Sequence, residues 1–159
     1  MKRVSIIGHK KSGKTRLIER LIPVLTARGK RVGTIKDAPH TLVLGDPKTD
    51  SSRHRRAGAE RTLLLGEDGA ILIFDRDEVI EKIVEEAFAG FDIVLVEGLK
   101  DGPFPKIEVY RRDGDPTPPL GASRTIVCLV TDEPDPPVSG VPILSPSDIE
   151  GIADLIERL

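Results

Sequence analysis

Gly8-His9-Lys10-Lys11-Ser12-Gly13-Lys14-Thr15 sets four residues between two glycines and follows the second with a lysine and a hydroxyl. At this spacing the glycines permit torsions and close approaches that a Cβ blocks, so successive backbone N–H groups can turn inward around phosphate oxygens. Lys14 would then bridge the terminal phosphates of a nucleotide, and the Thr15 hydroxyl would ligate Mg²⁺. The pattern carries this meaning when it directly follows a strand and opens a helix, whose positive end adds to the attraction. From His9, Lys10, Lys11 and Ser12 the expected contribution is the backbone amide, and Arg16 extends the set into the first helical turn. His9 stands directly after the first glycine, where some P-loop ATPases carry an extra lysine; neither Lys10 nor Lys11 is assigned that role.

An acid at the carboxyl end of a neighbouring strand should complete such a site. In "FDIVLVEG" four apolar residues deliver Glu97 to that edge and Gly98 lets the chain turn away, which suits Glu97 to holding magnesium or orienting a water. Asp92, a strand's length away, reads as a surface acid. The later run "TIVCLVTD" delivers Asp132, whose carboxylate can accept from both N1–H and the exocyclic amine of guanine; adenine has an acceptor at N1 and would leave it unpaired. The Asn/Thr-Lys-x-Asp sequence of many GTPases is absent.

The elements that must position these residues follow from periodicity. Arg3–Ile7 reads as a buried strand, and Lys14 to Gly29 as a helix with Leu17, Ile18, Leu21, Ile22 and Leu25 on one face and a blemish at Pro23. Arg31–Lys36 is the next strand, so the strand–helix–strand unit predicts a right-handed crossover with the two strands a parallel pair. Residues 37–61 are polar and long, with a short helix expected from about Ser51 to Ala59. "TLLLG" and "AILIF" flank a turn at Asp68-Gly69 and predict a hairpin within or beside the sheet. A helix is expected from Asp77 to Gly90, then the Glu97 strand, "PKIEVY", a Pro-rich turn at 116–119 and the Asp132 strand. The closing helix would have Ser147 as N-cap and Glu150 completing a capping box. Together these predict an α/β fold, a P-loop three-layer sandwich with a mostly parallel central sheet.

Composition sets the limits. A chain of 159 residues predicts one nucleotide-binding domain, 1–159, and a formal net charge of −2 gives no basic field for nucleic acid. No apolar stretch approaches the ~20 residues that span a bilayer, so no membrane partner is expected. The single cysteine, Cys128, lies in an apolar run and is expected to be buried, and cytoplasm is the expected compartment. The histidines show no zinc spacing.

The stretches "IGHKKSGKTRLIERLIPVLTARGKRVGTIK", His40, "DSSRHRRAGA" and "DIVLVEGLKDGPFPKIEV" resemble the MobB family of molybdopterin-guanine dinucleotide biosynthesis adapter proteins. The specific part is the combination of Asp50-Ser51, Arg55, Ala57-Gly58-Ala59, Glu97-Gly98, Lys100 and Pro105-Lys106-Ile107-Glu108. The resemblance implies a GTP-binding, usually dimeric accessory protein that helps a separate guanylyltransferase attach GMP to molybdopterin, with weak GTPase activity at most. It also makes His40, Asp50, Ser51, Arg55, Lys100 and Lys106 candidate contacts to a partner or second ligand, molybdopterin included. The chain departs from the family pattern at Lys48-Thr49 and at Pro39 and Thr41. A rival reading is a small-molecule kinase that uses residues 37–61 as a lid and Arg53, Arg55 and Arg56 over the transferred phosphate.

Overall fold

The computed structural model describes residues 1–38, 49–74, 80–112, 125–136 and 140–159. In chain order the elements are β1 (Lys2–Ile7), α1 (Lys14–Ala27), β2 (Val32–Lys36), α2 (Asp50–Arg56), β3 (Arg61–Gly66), β4 (Gly69–Phe74), α3 (Ile80–Ala87), β5 (Ile93–Glu97), β6 (Lys106–Val109), β7 (Ile126–Val130), β8 (Ile143–Leu144) and α4 (Ile149–Arg158). They divide into two compact units, one of Met1–Asp37 with Gly90–Leu159 and one of Ala38–Ala89. The Pro-rich turn at 116–119, the start of the helix expected from Asp77, and His40 with Lys48 lie outside the described residues.

The first unit holds a six-stranded sheet in the order β2-β5-β1-β6-β7-β8, every neighbouring pair parallel. Strands β1 and β2 run parallel as expected, without being neighbours. Strand β2 does not pair with β1; β5 lies between them, with Ile93 to Glu97 opposite Val32 to Lys36 on one edge and Ile93 to Glu97 opposite Lys2 to Ile6 on the other. The burial of each strand explains the exchange. Ile93, Val94, Leu95 and Val96 are all buried and need cover on both faces and both edges. Strand β2, with Gly33, an exposed Thr34 and an exposed Lys36, suits the edge.

Helices α1 and α4 pack together against one face of this sheet. Leu17, Ile18, Leu21 and Leu25 from α1 meet Ile149, Ile152, Ala153 and Ile156 from α4 over Val4, Ile6, Ile93, Leu95, Ile107, Val109, Cys128 and Val130. Pro23 sits exposed inside α1 without ending it, its missing N–H on the solvent side. Beyond the helix end Arg28 donates to Asp154 at 2.7 Å and also bonds Glu150 and Glu157, tying α1 to α4.

That cluster corrects an expectation. The N-cap of α4 is Asp148, whose Oδ1 accepts from Gly151 N at 3.0 Å, and Glu150 is drawn to Arg28 instead of closing a capping box with Ser147. Strand β6 is the element that alternation conceals, because Lys106 and Glu108 are as buried as Ile107 and Val109. Cys128 is fully buried, and burial pushes its thiol up to about 11.

In the second unit β3 and β4 form a separate two-stranded antiparallel sheet, Leu63 opposite Leu72 and Leu65 opposite Ala70. Helix α2 begins at a Thr49 N-cap, whose Oγ1 accepts from Ser52 N.

Candidate functional site

The loop from Gly8 to Gly13 leaves the carboxyl end of β1 and enters α1 directly. Three residues in it take positive φ: Gly8 at 141°, Lys11 at 66° and Gly13 at 104°. Gly8 is required by space as well as by torsion, since a Cβ there would lie 2.3 Å from the Val109 carbonyl oxygen and 2.7 Å from Ser12 Oγ. The N-terminus of α1 has Gly13 as its cap residue, no side-chain cap bond and no acid in its first turn, whereas α2 and α4 have both. Its free amides and positive dipole end therefore point into the loop uncompensated. Ser12 Oγ is buried there with no hydrogen-bond partner.

Lys14 folds back over the loop and donates to the carbonyl oxygens of Gly8 at 3.1 Å and His9 at 2.7 Å. Desolvation pushes its ammonium below the ordinary lysine value; nearby Glu97 opposes that shift and Lys36 adds to it. Thr15 Oγ1 donates to Glu97 Oε1 at 2.8 Å, so the helix start and the end of β5 meet as the sequence expects. The same Oε1 accepts from Lys36 Nζ at 3.1 Å. After Glu97, Gly98 takes φ 95° and Leu99 φ 56°, and the Leu99 amide donates to Asp37 Oδ2 at 3.3 Å. Sequence reasoning missed Lys36 and Asp37, although both close the run "TIK-D" at the carboxyl edge of β2.

Strand order adds a crevice. The chain leaves β1 toward β2 on one side and leaves β6 toward β7 on the other, so the carboxyl ends of β1 and β6 flank the switch point where open α/β sheets bind ligands. A pocket of about 270 Å³ opens there, lined among others by Gly13, Arg16, Tyr110, Arg111, Asp132 and Ser147. Asp132 is exposed at its wall, and its Oδ1 accepts from Ser145 Oγ at 2.7 Å, which leaves Oδ2 free to meet a ligand. Ser145 is held in turn by Ser147 at 2.7 Å. Arg20 closes one side by donating to Pro146 O at 2.7 Å.

Other candidates fall elsewhere. Lys106 is only 2% exposed and donates to Gly102 O at 2.7 Å, Phe104 O at 3.0 Å and Thr125 Oγ1 at 2.9 Å. All three ammonium protons are spent on the chain itself; burial holds its pKa below the ordinary value, with Asp101 opposing. Lys100 is exposed in the turn after β5. Asp50, Ser51 and Arg55 belong to the second unit, where Asp50 pairs with Arg53 at 3.3 Å and Ser51 Oγ lies 3.2 Å from Thr49 Oγ1.

Residues 3–132 match the family described as Molybdopterin guanine dinucleotide synthesis protein B, MobB. The molybdopterin-guanine dinucleotide biosynthesis adapter protein of Escherichia coli (strain K12) is 32% identical over 151 residues, spanning 91% of this chain and 85% of that one. The protein of the same name in Haemophilus influenzae is 36% identical over 113 residues, spanning 69% of this chain and 64% of that one. A crystal structure of molybdopterin-guanine biosynthesis protein B superposes with a TM-score of 0.68 at 25% identity over 98% of each chain. A MobB homolog from Bacillus stearothermophilus shares the fold over the whole of both chains, with a TM-score of 0.65 at 23% identity.

The approach of Gly8 to Val109 is testable apart from any ligand. Gly8→Ala should lower stability by about 2–5 kcal/mol in urea unfolding, from backbone overlap and strain together. Gly29→Ala, at φ 77° with nothing within 4 Å, should cost about 1 kcal/mol from strain alone. Equal losses would show that the loop does not press on β6.

Proposed function

The chain belongs to the molybdopterin guanine dinucleotide synthesis protein B family, and we propose that it acts as a GTP-binding adapter in molybdenum cofactor biosynthesis. On this reading it assists a guanylyltransferase that converts molybdopterin to molybdopterin guanine dinucleotide. The observation that carries the reading is the meeting of Lys14, Thr15 and Glu97 at the mouth of an uncapped helix, with Asp132 in the wall of the adjoining pocket.

The amides of residues 9–16 would surround the phosphates, and Lys14 would exchange its two carbonyl acceptors for phosphate oxygens. The guanine would enter the pocket beside Tyr110 and Arg111, where the Asp132 carboxylate accepts from it while Ser145 fixes the carboxylate's other oxygen. Thr15 and Glu97 fit a small divalent cation: both present hard oxygen atoms, and one carboxylate with one hydroxyl leaves the other positions to phosphate and water, as Mg²⁺ prefers. Bound Mg²⁺ would neutralise charge between the terminal phosphates. Nothing further in this set is needed for binding, and the reading gives the isolated protein slow GTP hydrolysis at most.

His40, Asp50, Ser51, Arg55 and Lys100 remain the proposed contacts to the guanylyltransferase or to molybdopterin. A homodimer is supported by the β3–β4 hairpin. Leu63, Leu65 and Leu72 share one of its faces at 57%, 78% and 47% exposure, and a sheet of two strands has marginal stability on its own.

Calorimetry with GTP and Mg²⁺ tests the nucleotide reading. Lys14→Ala should weaken binding by at least about tenfold, the scale of a lost charge-assisted hydrogen bond, while leaving the circular dichroism spectrum intact. Asp132→Asn should lose GTP and gain xanthosine triphosphate, whose C2 carbonyl accepts from the new amide. Unchanged affinities would move the site elsewhere.

The dimer has its own test. Leu65→Asp should halve the mass seen by analytical ultracentrifugation and leave GTP affinity unaltered. A variant that sediments like the parent would take the interface away from the hairpin.

A further inference from the structure

Lys36 closes β2 directly opposite Glu97, the last residue of β5. Its ammonium lies 3.1 Å from Glu97 Oε1, the same oxygen that accepts from Thr15. Lys14 stands close enough to both for each to perturb it. The Lys36 ammonium therefore joins the Thr15 hydroxyl on one carboxylate oxygen, beside the mouth of a helix N-terminus that carries no acid of its own. One shared carboxylate oxygen satisfies a single ammonium proton, so Lys36 keeps donors that a phosphate oxygen brought there by the loop can accept.

Position favours a terminal phosphate as that acceptor. Lys14 reaches the loop carbonyls from the helix, while Lys36 approaches from the far side of Glu97, on the strand farthest from β6 and the pocket on that side of the sheet. A nucleotide whose base lies in that pocket and whose phosphates run along the loop would present its last phosphate on the Glu97 side. Lys36 is 66% exposed, and among the described residues Glu97 is its one ion-pair partner, so its four-carbon stem is free to turn.

We infer that Lys36 is a second cation for the terminal phosphate of the bound nucleotide, and that it makes the protein distinguish a triphosphate from a diphosphate. The inference rests on the nucleotide reading above. In the ligand-free protein Lys36 neutralises Glu97; with nucleotide present it turns to a γ-phosphate oxygen, a group that GDP lacks.

The test is calorimetric titration of the full chain with Mg²⁺ and either a non-hydrolysable GTP analogue or GDP, for the parent, Lys36→Met and Lys36→Arg. Lys36→Met should weaken the triphosphate about tenfold and change GDP by less than about twofold, and Lys36→Arg should restore most of the triphosphate affinity. Thermal unfolding should move little, because the lysine end of the pair is exposed and Glu97 keeps its bond from Thr15. Equal weakening of both nucleotides would make Lys36 a partner of Glu97 alone and overturn the inference, as would no weakening of either. A parent that binds neither nucleotide would overturn the P-loop reading and this one with it, an outcome distinct from a parent that binds both and a Lys36→Met variant that behaves like it.

Discussion

Strand β1 is paired on both edges, to β5 and to β6, and the candidate site depends on that double pairing. The register sets Ile6 beside Glu97 on one side and Ile7 beside Glu108 on the other, so the chain emerging at Gly8 has an acid-tipped strand to one flank and the end of β6 to the other. The loop has little room to choose its path. It must pass the Val109 carbonyl closely enough to exclude a side chain at Gly8, and it reaches α1 at the height where Thr15 finds Glu97. Hydrogen-bond ladders in the sheet thus fix a side-chain meeting between residues 82 positions apart in sequence.

Much of this was legible beforehand. The glycine spacing, the strand before it and the helix after it appear where the residues predict, and the apolar run before Glu97 does deliver an acid to the loop. Those features are local: each is settled by a few neighbouring residues and their period. The order of the strands is not local. Nothing within Arg31–Lys36 tells it to stand one place away from β1, because that outcome depends on how β5 competes for the central position by burial. The same limit explains the N-cap of α4. Ser147 and Asp148 are both good cap residues, and the choice is settled by Arg28, 122 positions before Glu150, drawing that carboxylate off.

Lys36 escaped notice for a related reason. A lysine ending an edge strand is ordinary, and it acquires meaning only when β5 places Glu97 opposite it. Asp132 shows the reverse case: the sequence pointed to it by chemistry alone, and the fold adds the pocket and the Ser145 hydroxyl that orient it.

The lysines of the first unit show how structural and functional charge differ on one sheet. Lys106 is more buried than Lys14 or Lys36, and it is also complete, each ammonium proton bonded to a carbonyl or hydroxyl of its own chain. Burying it is tolerable because nothing is left to satisfy. Lys14 bonds two neutral carbonyls and Lys36 bonds one carboxylate oxygen already shared with Thr15, so both keep protons and charge for which the protein supplies no full match. Sequence position ranked these residues differently, since Lys106 sits in the family-specific run and Lys36 at an unremarked strand end. Counting donors against acceptors reverses that order: a cation whose bonds are complete holds the fold, and a cation with protons to spare can still meet an anion.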